Sequence, residues 1–575
     1  MKLVKLISIG FALLLLQACS HPIEIVGEGD VTSAPGNRNC SLEDFNSSAE
    51  VCSKNYVIGA YNETYTAAPR VGWQFDHWGN YCTTATNNEC SFNISAATVQ
   101  QFWGQTVPPL QAVFAKYKLT GPILPDSDIN LAPAYLAQLD YQAKEFFLAG
   151  TSRSYTPTQP LPTDGKLVVT ADPEALEGNY KTRLVVFRPS DPADFNGTVI
   201  VEWFNVTAGN DTNPDWIMAH NEFIREGYAY VGVSAQAVGV NALKNSSTPA
   251  WAARYASLNH PGDSFSYDIF SLAGRLAKEP NATLLGGLTA ERVIAAGESQ
   301  SASRMVTYIN AVHPLADVYD GFMVHSRGSS GSSIRQAPLA NPVSYPAPAP
   351  IRDDLNVPVM VVQAEGDVVF SNLLTRQADT ALFRAWEMAG TSHADSYTLP
   401  VGLADIGDGS GAVRMFNFMR GNPVNNLLNC DTATNSGGHH WILQAAFRGL
   451  DTWVRTAVPP PVGPLLDVDF VSSTPTSVVL FRDAQGNALG GVRSPHVDAP
   501  VATLGGNGAG PVFCRLFGSN IPLTPAQILA LYPTHADFMA AWLNSINTNV
   551  ANGFLLQVDG DDLEAAAAAW TYFPN

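Results

Sequence analysis

Long apolar runs, basic clusters and closely spaced cysteine pairs are scarce in this chain, and each scarcity removes a class of function. Beyond the first residues no stretch approaches the ~20 consecutive apolar residues of a membrane-spanning helix, so no span is expected. Charge is sparse too: Asp, Glu, Lys and Arg make up 14% of the residues, against a usual ~25%. Gly, Pro, Ser, Thr and Asn fill the gap, a composition typical of exported bacterial proteins. The charge that remains leans acidic, with 51 Asp and Glu against 32 Lys and Arg and a formal net charge of −19. Nucleic acid is therefore not expected as a partner, because displacing the counterions of a phosphate backbone takes clustered Lys and Arg. The acidity reads as solubility. None of the 7 cysteines forms a Cys-x-x-Cys pair, which argues against a zinc ribbon. No residue pattern asks for a metal or an organic cofactor.

What is present starts with a targeting segment. Lys2 and Lys5 precede an apolar stretch from Leu6 to Leu16, the charge-then-apolar order of a signal peptide. It runs into Leu16-Gln17-Ala18-Cys19-Ser20, which resembles a bacterial lipobox. That resemblance implies removal of residues 1–18, lipidation of Cys19, and anchoring to a membrane without spanning it. Ser20 after the cysteine implies the outer membrane, facing periplasm or cell exterior. An ordinary signal peptide with an incidental cysteine is the alternative. The remaining cysteines, Cys40, Cys52, Cys82, Cys90, Cys430 and Cys514, are even in number and read as a disulfide framework of an oxidising compartment. Two bridges among the first four and a Cys430–Cys514 staple are the simplest partition. Pairing within the first four stays open.

Residues 19–118 read as a small all-β module. Alternating stretches such as Tyr56–Tyr61 and Leu110–Ala115 suggest short strands. The string Ala67 to Trp78, with Cys82, Cys90 and Val113-Phe114, resembles the bacterial repeat modules of the InlB B-repeat type. Trp73, Phe75 and Trp78 are expected in its core rather than on a sugar-binding face. Residues 119–456 alternate strand-like and helix-like segments. Strands are expected at 180–188, 198–204, 228–235, 290–296, 319–325, 357–364 and 382–389. Helices are expected near 214–226, 264–278, 300–312 and 438–456. Such alternation predicts an α/β fold, a mostly parallel sheet with helices on both faces, whose chemistry lies at the carboxyl ends of the strands. Residues 457–575, with a helix-like stretch near 524–546, read as an extension packed on that domain.

The chemistry gathers at Arg292-Val293-Ile294-Ala295-Ala296-Gly297-Glu298-Ser299-Gln300-Ser301. A strand-like run stops at a glycine, a serine follows two positions later, and a helix-like stretch begins. This is the strand–turn–helix order that lifts a serine out of a sheet as a nucleophile. Ser301 stands where a second glycine is usual. A serine nucleophile needs two N–H groups aimed at the oxyanion; these are expected from Gln300 and from Phe204 or Asn205 in the loop after strand 198–204. The acid is expected at Asp367, at the end of the strand beginning near Val357, with Glu365 as the alternative. The base is expected at His393 in the loop after the last strand, ahead of His439 and His440, whose helix reads as packing. His325 falls too early in the order to be the base, though it could line the pocket.

These strings, with Val324–Ser330, Arg384–Asp395 and Gly490–Pro495, resemble the α/β-hydrolase superfamily, in particular a bacterial subgroup described as "alpha/beta hydrolase domain". The resemblance covers about four-fifths of the chain from residue 120. It implies the fold and a Ser–His–Asp mechanism, but no substrate. The expectation is a carboxylic ester hydrolase working through an acyl-enzyme, on a small-molecule or polymeric ester, with no cofactor. A peptidase on the same fold and a non-catalytic surface binding protein are the alternatives. Oligomeric state is not legible.

Overall fold

Continuous apolar runs such as Val199-Ile200-Val201 can hide both faces only inside a layered sheet, and the structure, a computed structural model, buries them there. It describes residues 18–70, 73–83, 88–172, 178–370, 372–421, 428–473 and 476–570. The targeting stretch with Lys2, Lys5 and Leu6 to Leu16 lies outside them. The chain forms two compact units, the smaller made mainly of residues up to Leu119.

In the smaller unit Gly29–Ser33, Tyr61–Pro69 and Glu89–Ile94 form an antiparallel sheet. A second sheet pairs Leu110–Thr120 with Ile23–Val26 and Trp73–Gly79. Trp78 is buried in the core, and Trp73 and Phe75 pack against it. The unit is strand-rich, in line with the sequence reading. Helical turns at Leu42–Asn46, Glu50–Ser53 and Ala96–Gln100 interrupt it. Local capping explains them: Ser41 and Asp44 form a capping box, and Ser95 accepts from the Thr98 N–H. The open pairing resolves as Cys40–Cys52 and Cys82–Cys90.

The larger unit is built on β1 (Tyr141–Ser152), β2 (Gly178–Pro189), β3 (Thr198–Trp203), β4 (Ala229–Val233), β5 (Arg292–Glu298), β6 (Gly321–His325), β7 (Val359–Ala364) and β8 (Phe383–Met388), in spatial order 8-7-6-5-3-4-2-1. From β4 through β3 to β8 every pairing is parallel, and β2 joins β4 antiparallel. All residues of β3, β4 and β7 are buried, as strands covered on both faces must be. The helices that matter for the site are α1 (Pro214–Arg225), α2 (Ser266–Lys278), α3 (Gln300–Thr307) and α4 (His439–Thr456). The stretch expected as one helix over 300–312 changes at Tyr308 to a wider π-turn through Val312.

The C-terminal extension belongs to this unit. Val492 accepts from Ala389 and donates to Glu387, prolonging the β8 edge. Helices Pro525–Leu531, His535–Ala551 and Gln557–Ala568 close around Trp441, Phe416, Trp542 and Trp570. His496 is fully buried and stacks on Trp441. The Cys430–Cys514 bridge is present.

Candidate active site

Ser299 occupies the turn between β5 and α3 at φ 58°, ψ −114°, a strained backbone that β-carbon sterics normally forbid. Three features hold it there. Its N–H donates to the His325 carbonyl at 2.9 Å. A Cβ on Gly297 would meet the Ser301 carbonyl oxygen at 3.1 Å, so glycine lets β5 and α3 approach. The Ser301 hydroxyl donates to the Glu298 carbonyl at 2.7 Å, which gives the departure from glycine a use inside the turn.

The side chains around this serine converge from three strand ends. Ser299 Oγ lies 2.7 Å from His393 Nε2, and His393 Nδ1 lies 2.6 Å from Asp367 Oδ1. Asp367 follows β7, and its second oxygen accepts the Ala364 N–H at 2.8 Å. His393 sits in the loop after β8. Glu365, the alternative acid, faces away and accepts from Gly390, Gly506 and Arg482. Burial opposes charge on both partners, yet their mutual attraction wins: Asp367 is held below the usual carboxylate range. His393, with Asp367 and Glu298 beside it, is raised to about 9.

Glu298 is the site residue that sequence reasoning passed over. Its Oε1 is 3.1 Å from His393 Nε2, and its Oε2 accepts from Asn205 Nδ2 at 2.9 Å. Burial, with Asp215 and Asp367 nearby, raises its carboxyl to about 8. The only sequence signal was its place beside the serine at a buried strand end.

The oxyanion donors need a correction. Asn205 N–H donates to the Thr212 carbonyl at 3.0 Å and Phe204 N–H to Val233 at 3.2 Å, so the backbone of neither predicted loop residue is open. The loop curls into a bridge with Thr212 that uses up the Asn205 amide, and the Phe204 amide prolongs the pairing with β4. The Asn205 side chain instead braces Glu298. The Gln300 N–H, at the first position of α3, has no intrahelical acceptor by geometry.

Beneath Ser299 lies a second group of buried polar residues. Asp215 on α1 contacts His325 Nδ1 at 2.8 Å, His325 Nε2 contacts His439 Nε2 at 2.8 Å, and His439 Nδ1 contacts the Ser392 carbonyl at 2.9 Å. His439, the rival base, is thereby engaged away from Ser299, and His440 stacks on Tyr397. His325, which could line the pocket by its place in the sequence, is fully buried. Among the described residues no group of three or more His, Cys, Asp or Glu is arranged to hold a metal ion.

A family model described as alpha/beta hydrolase domain matches residues 108–565. Solved structures resemble the chain at low identity. An acetyl xylan esterase from Thermoanaerobacterium is 8% identical, over 37% of this chain and 53% of its own, with TM-score 0.21. An alpha-beta serine hydrolase homologue from Coxiella burnetii is 11% identical, over 37% and 84%, with TM-score 0.23. A glucuronoyl esterase from Teredinibacter turnerae is 12% identical, over 48% and 74%, with TM-score 0.23. Likeness this slight carries no argument about substrate. No curated protein matches the chain.

Proposed function

Because the chain belongs to the alpha/beta hydrolase domain family, we propose that it is a serine hydrolase of carboxylic esters. The observation that carries this reading is the unbroken run Ser299 Oγ–His393 Nε2, 2.7 Å, and His393 Nδ1–Asp367 Oδ1, 2.6 Å. In it His393 takes the Ser299 proton as Oγ attacks the ester carbonyl, and Asp367 holds the imidazole with Nε2 toward the serine. The tetrahedral oxyanion is met by the Gln300 N–H, the amide directly after the nucleophile. His393 then gives its proton to the departing alkoxide, leaving an acyl-Ser299. Water, deprotonated by His393, releases the acid and restores the serine.

A fluorophosphonate probe and p-nitrophenyl esters test this together. Wild type labels and turns over; Ser299→Ala, folded by circular dichroism, does neither. Full turnover by Ser299→Ala would discard the mechanism, and amide turnover exceeding ester turnover would favour a peptidase. Folded wild type that never labels would favour a binding protein.

Lipid anchoring through Cys19 is a separate proposal that rests on the Leu16–Ser20 string. Cys19 is a free cysteine, buried in the two-residue strand Cys19–Ser20 paired with Tyr56–Val57. An outer-membrane location and the repeat-module likeness of residues 19–118 are proposed on the same footing.

A further inference from the structure

Three hydrogen bonds in series need three protons. The run Asp215–His325–His439–Ser392 C=O contains three such links, at 2.8, 2.8 and 2.9 Å. Its last acceptor is a carbonyl, so His439 Nδ1 must donate. If His439 is neutral, its Nε2 accepts, His325 Nε2 donates, and His325 Nδ1 accepts, which leaves Asp215 as the donor. Moving protons along the run changes which ring is charged but not the count. An aspartate and two imidazoles sharing three protons carry no net charge.

Resting on the hydrolase reading, we propose that Asp215, His325 and His439 are positioning residues for His393 and Ser299, and that they act as a net-neutral chain holding three protons. The placement gives the chain its leverage. His325 offers its side chain to Asp215 and His439, and its backbone carbonyl to the Ser299 N–H. His439 holds the carbonyl of Ser392, the residue before His393. Asp215 lies on α1, directly after the loop from β3. One buried chain thus ties the turn of the serine, the loop of the histidine and the loop that carries Asn205.

The surroundings favour the neutral count. Asp215 Oδ2 is buried without a protein partner, tolerable for an acid's carbonyl and costly for half a carboxylate. Glu202 on β3 receives the Asp215 and Trp216 N–H groups and the Tyr230 hydroxyl; burial, with Asp215 beside it, pushes its carboxyl well above the ordinary range, and these three donors at the amino end of α1 oppose that shift and favour its carboxylate. A second anion at Asp215 would face it. The other titratable groups about the chain are Glu298 on β5, Asp367 after β7, His393 after β8 and Tyr230 on β4. Burial holds the Asp215 carboxyl above the usual carboxylate range. It also depresses His325 and His439, each to about 3.

Amide substitution tests the count. Asp215→Asn supplies an N–H donor where the chain needs one, whereas Asp215→Ala and His439→Ala remove a link. Both alanine variants should lower kcat by ~10–100-fold with KM little changed, in the range seen when a supporting hydrogen bond is lost. Asp215→Asn should recover most of that loss. Asp367→Asn, in contrast, should suffer the ~10⁴-fold loss of a triad whose histidine is forced into the wrong tautomer. A second readout needs no turnover. Stability that depends on a proton held by Asp215 is fully present at low pH and is lost as pH rises through its raised native value. The Tm of Asp215→Asn should therefore gain on wild type steadily from about pH 4 to about pH 8 and level off above that. A flat Tm difference, or Asp215→Asn as impaired as Asp215→Ala, would overturn the proposal. If wild type itself fails to hydrolyse or label, the hydrolase reading falls while the Tm comparison still judges the proton count.

Discussion

Two carboxylates approach His393 from opposite ring nitrogens, Asp367 at Nδ1 and Glu298 at Nε2. Asp367 favours the imidazolium throughout the neutral range and Glu298 does so once its raised carboxyl ionises, near pH 8; this helps the step in which Ser299 loses its proton but holds back the free base that must start it. The imidazole is raised to about 9, so kcat/KM should climb with pH across the neutral range. Glu298→Gln removes one of the two charges and keeps an oxygen within reach of Asn205. The acid limb of the kcat/KM profile should then move toward lower pH, because losing a nearby anion lowers the pKa of a cation. A limb that stays in place would mean that Glu298 carries no charge while His393 titrates. His393→Ala is a simpler case: it should cut ester turnover by at least ~10³-fold, measured at the pH of maximal wild-type activity.

At the level of elements, the turn between β5 and α3 does the most. The β5 sequence ends in small residues, Ala295, Ala296 and Gly297, so that α3 can sit close against the strand. Gly297→Ala puts a carbon 3.1 Å from the Ser301 oxygen and 3.4 Å from Met305 Cε, a contact relieved only by moving α3. Overpacking of this kind costs ~1–3 kcal/mol. A fall in Tm should be joined by a larger fall in kcat, since Ser299 rides on the same turn. Stability loss with full kcat would show that the serine's position does not depend on that approach. The main elements were legible: the runs around 198–204, 290–296 and 357–364 became β3, β5 and β7. The loop amides after β3 were not, because the Asn205–Thr212 bridge depends on how the loop folds back. The helical turns of the smaller unit were missed because its strand pattern outweighed short capping signals at Ser41 and Ser95.

Across the molecule, three bridges close loops of very different size. Cys430 and Cys514 are 84 residues apart, Cys40 and Cys52 only 12. Loop-closure entropy grows with the logarithm of loop length, giving about 4.5 kcal/mol for the long loop and about 3 for the short one. Cys430→Ala with Cys514→Ala should therefore cost the larger unit more unfolding free energy than loss of the Cys40–Cys52 pair costs the smaller, read by calorimetry as ΔG because the smaller unit, with far less unfolding entropy, shifts more in Tm per kcal/mol. Equal losses would mean that the reduced tail stays docked on its aromatic core. Membrane attachment belongs to the same scale. Among the described residues no helix is long and apolar enough to cross a membrane. If Cys19 carries lipid, Cys19→Ser should release exported protein from membranes at an unchanged rate of ester hydrolysis. Continued retention would assign attachment to another part of the chain.

The sequence by itself determined the class of fold, the order of serine, acid and histidine along the chain, and the Cys430–Cys514 partners. These are local or combinatorial properties: hydrophobic period, turn chemistry and an even cysteine count can be read from neighbours in the chain. Tertiary structure decided which carboxylate near 365 meets His393, because Glu365 and Asp367 differ only in the side of the turn they face. It also brought Glu298 to Nε2, and gathered Asp215, His325 and His439, residues 110 and 114 positions apart, into one buried chain. Pairings of that kind follow from how strands and helices pack, and no period or spacing along the chain records them.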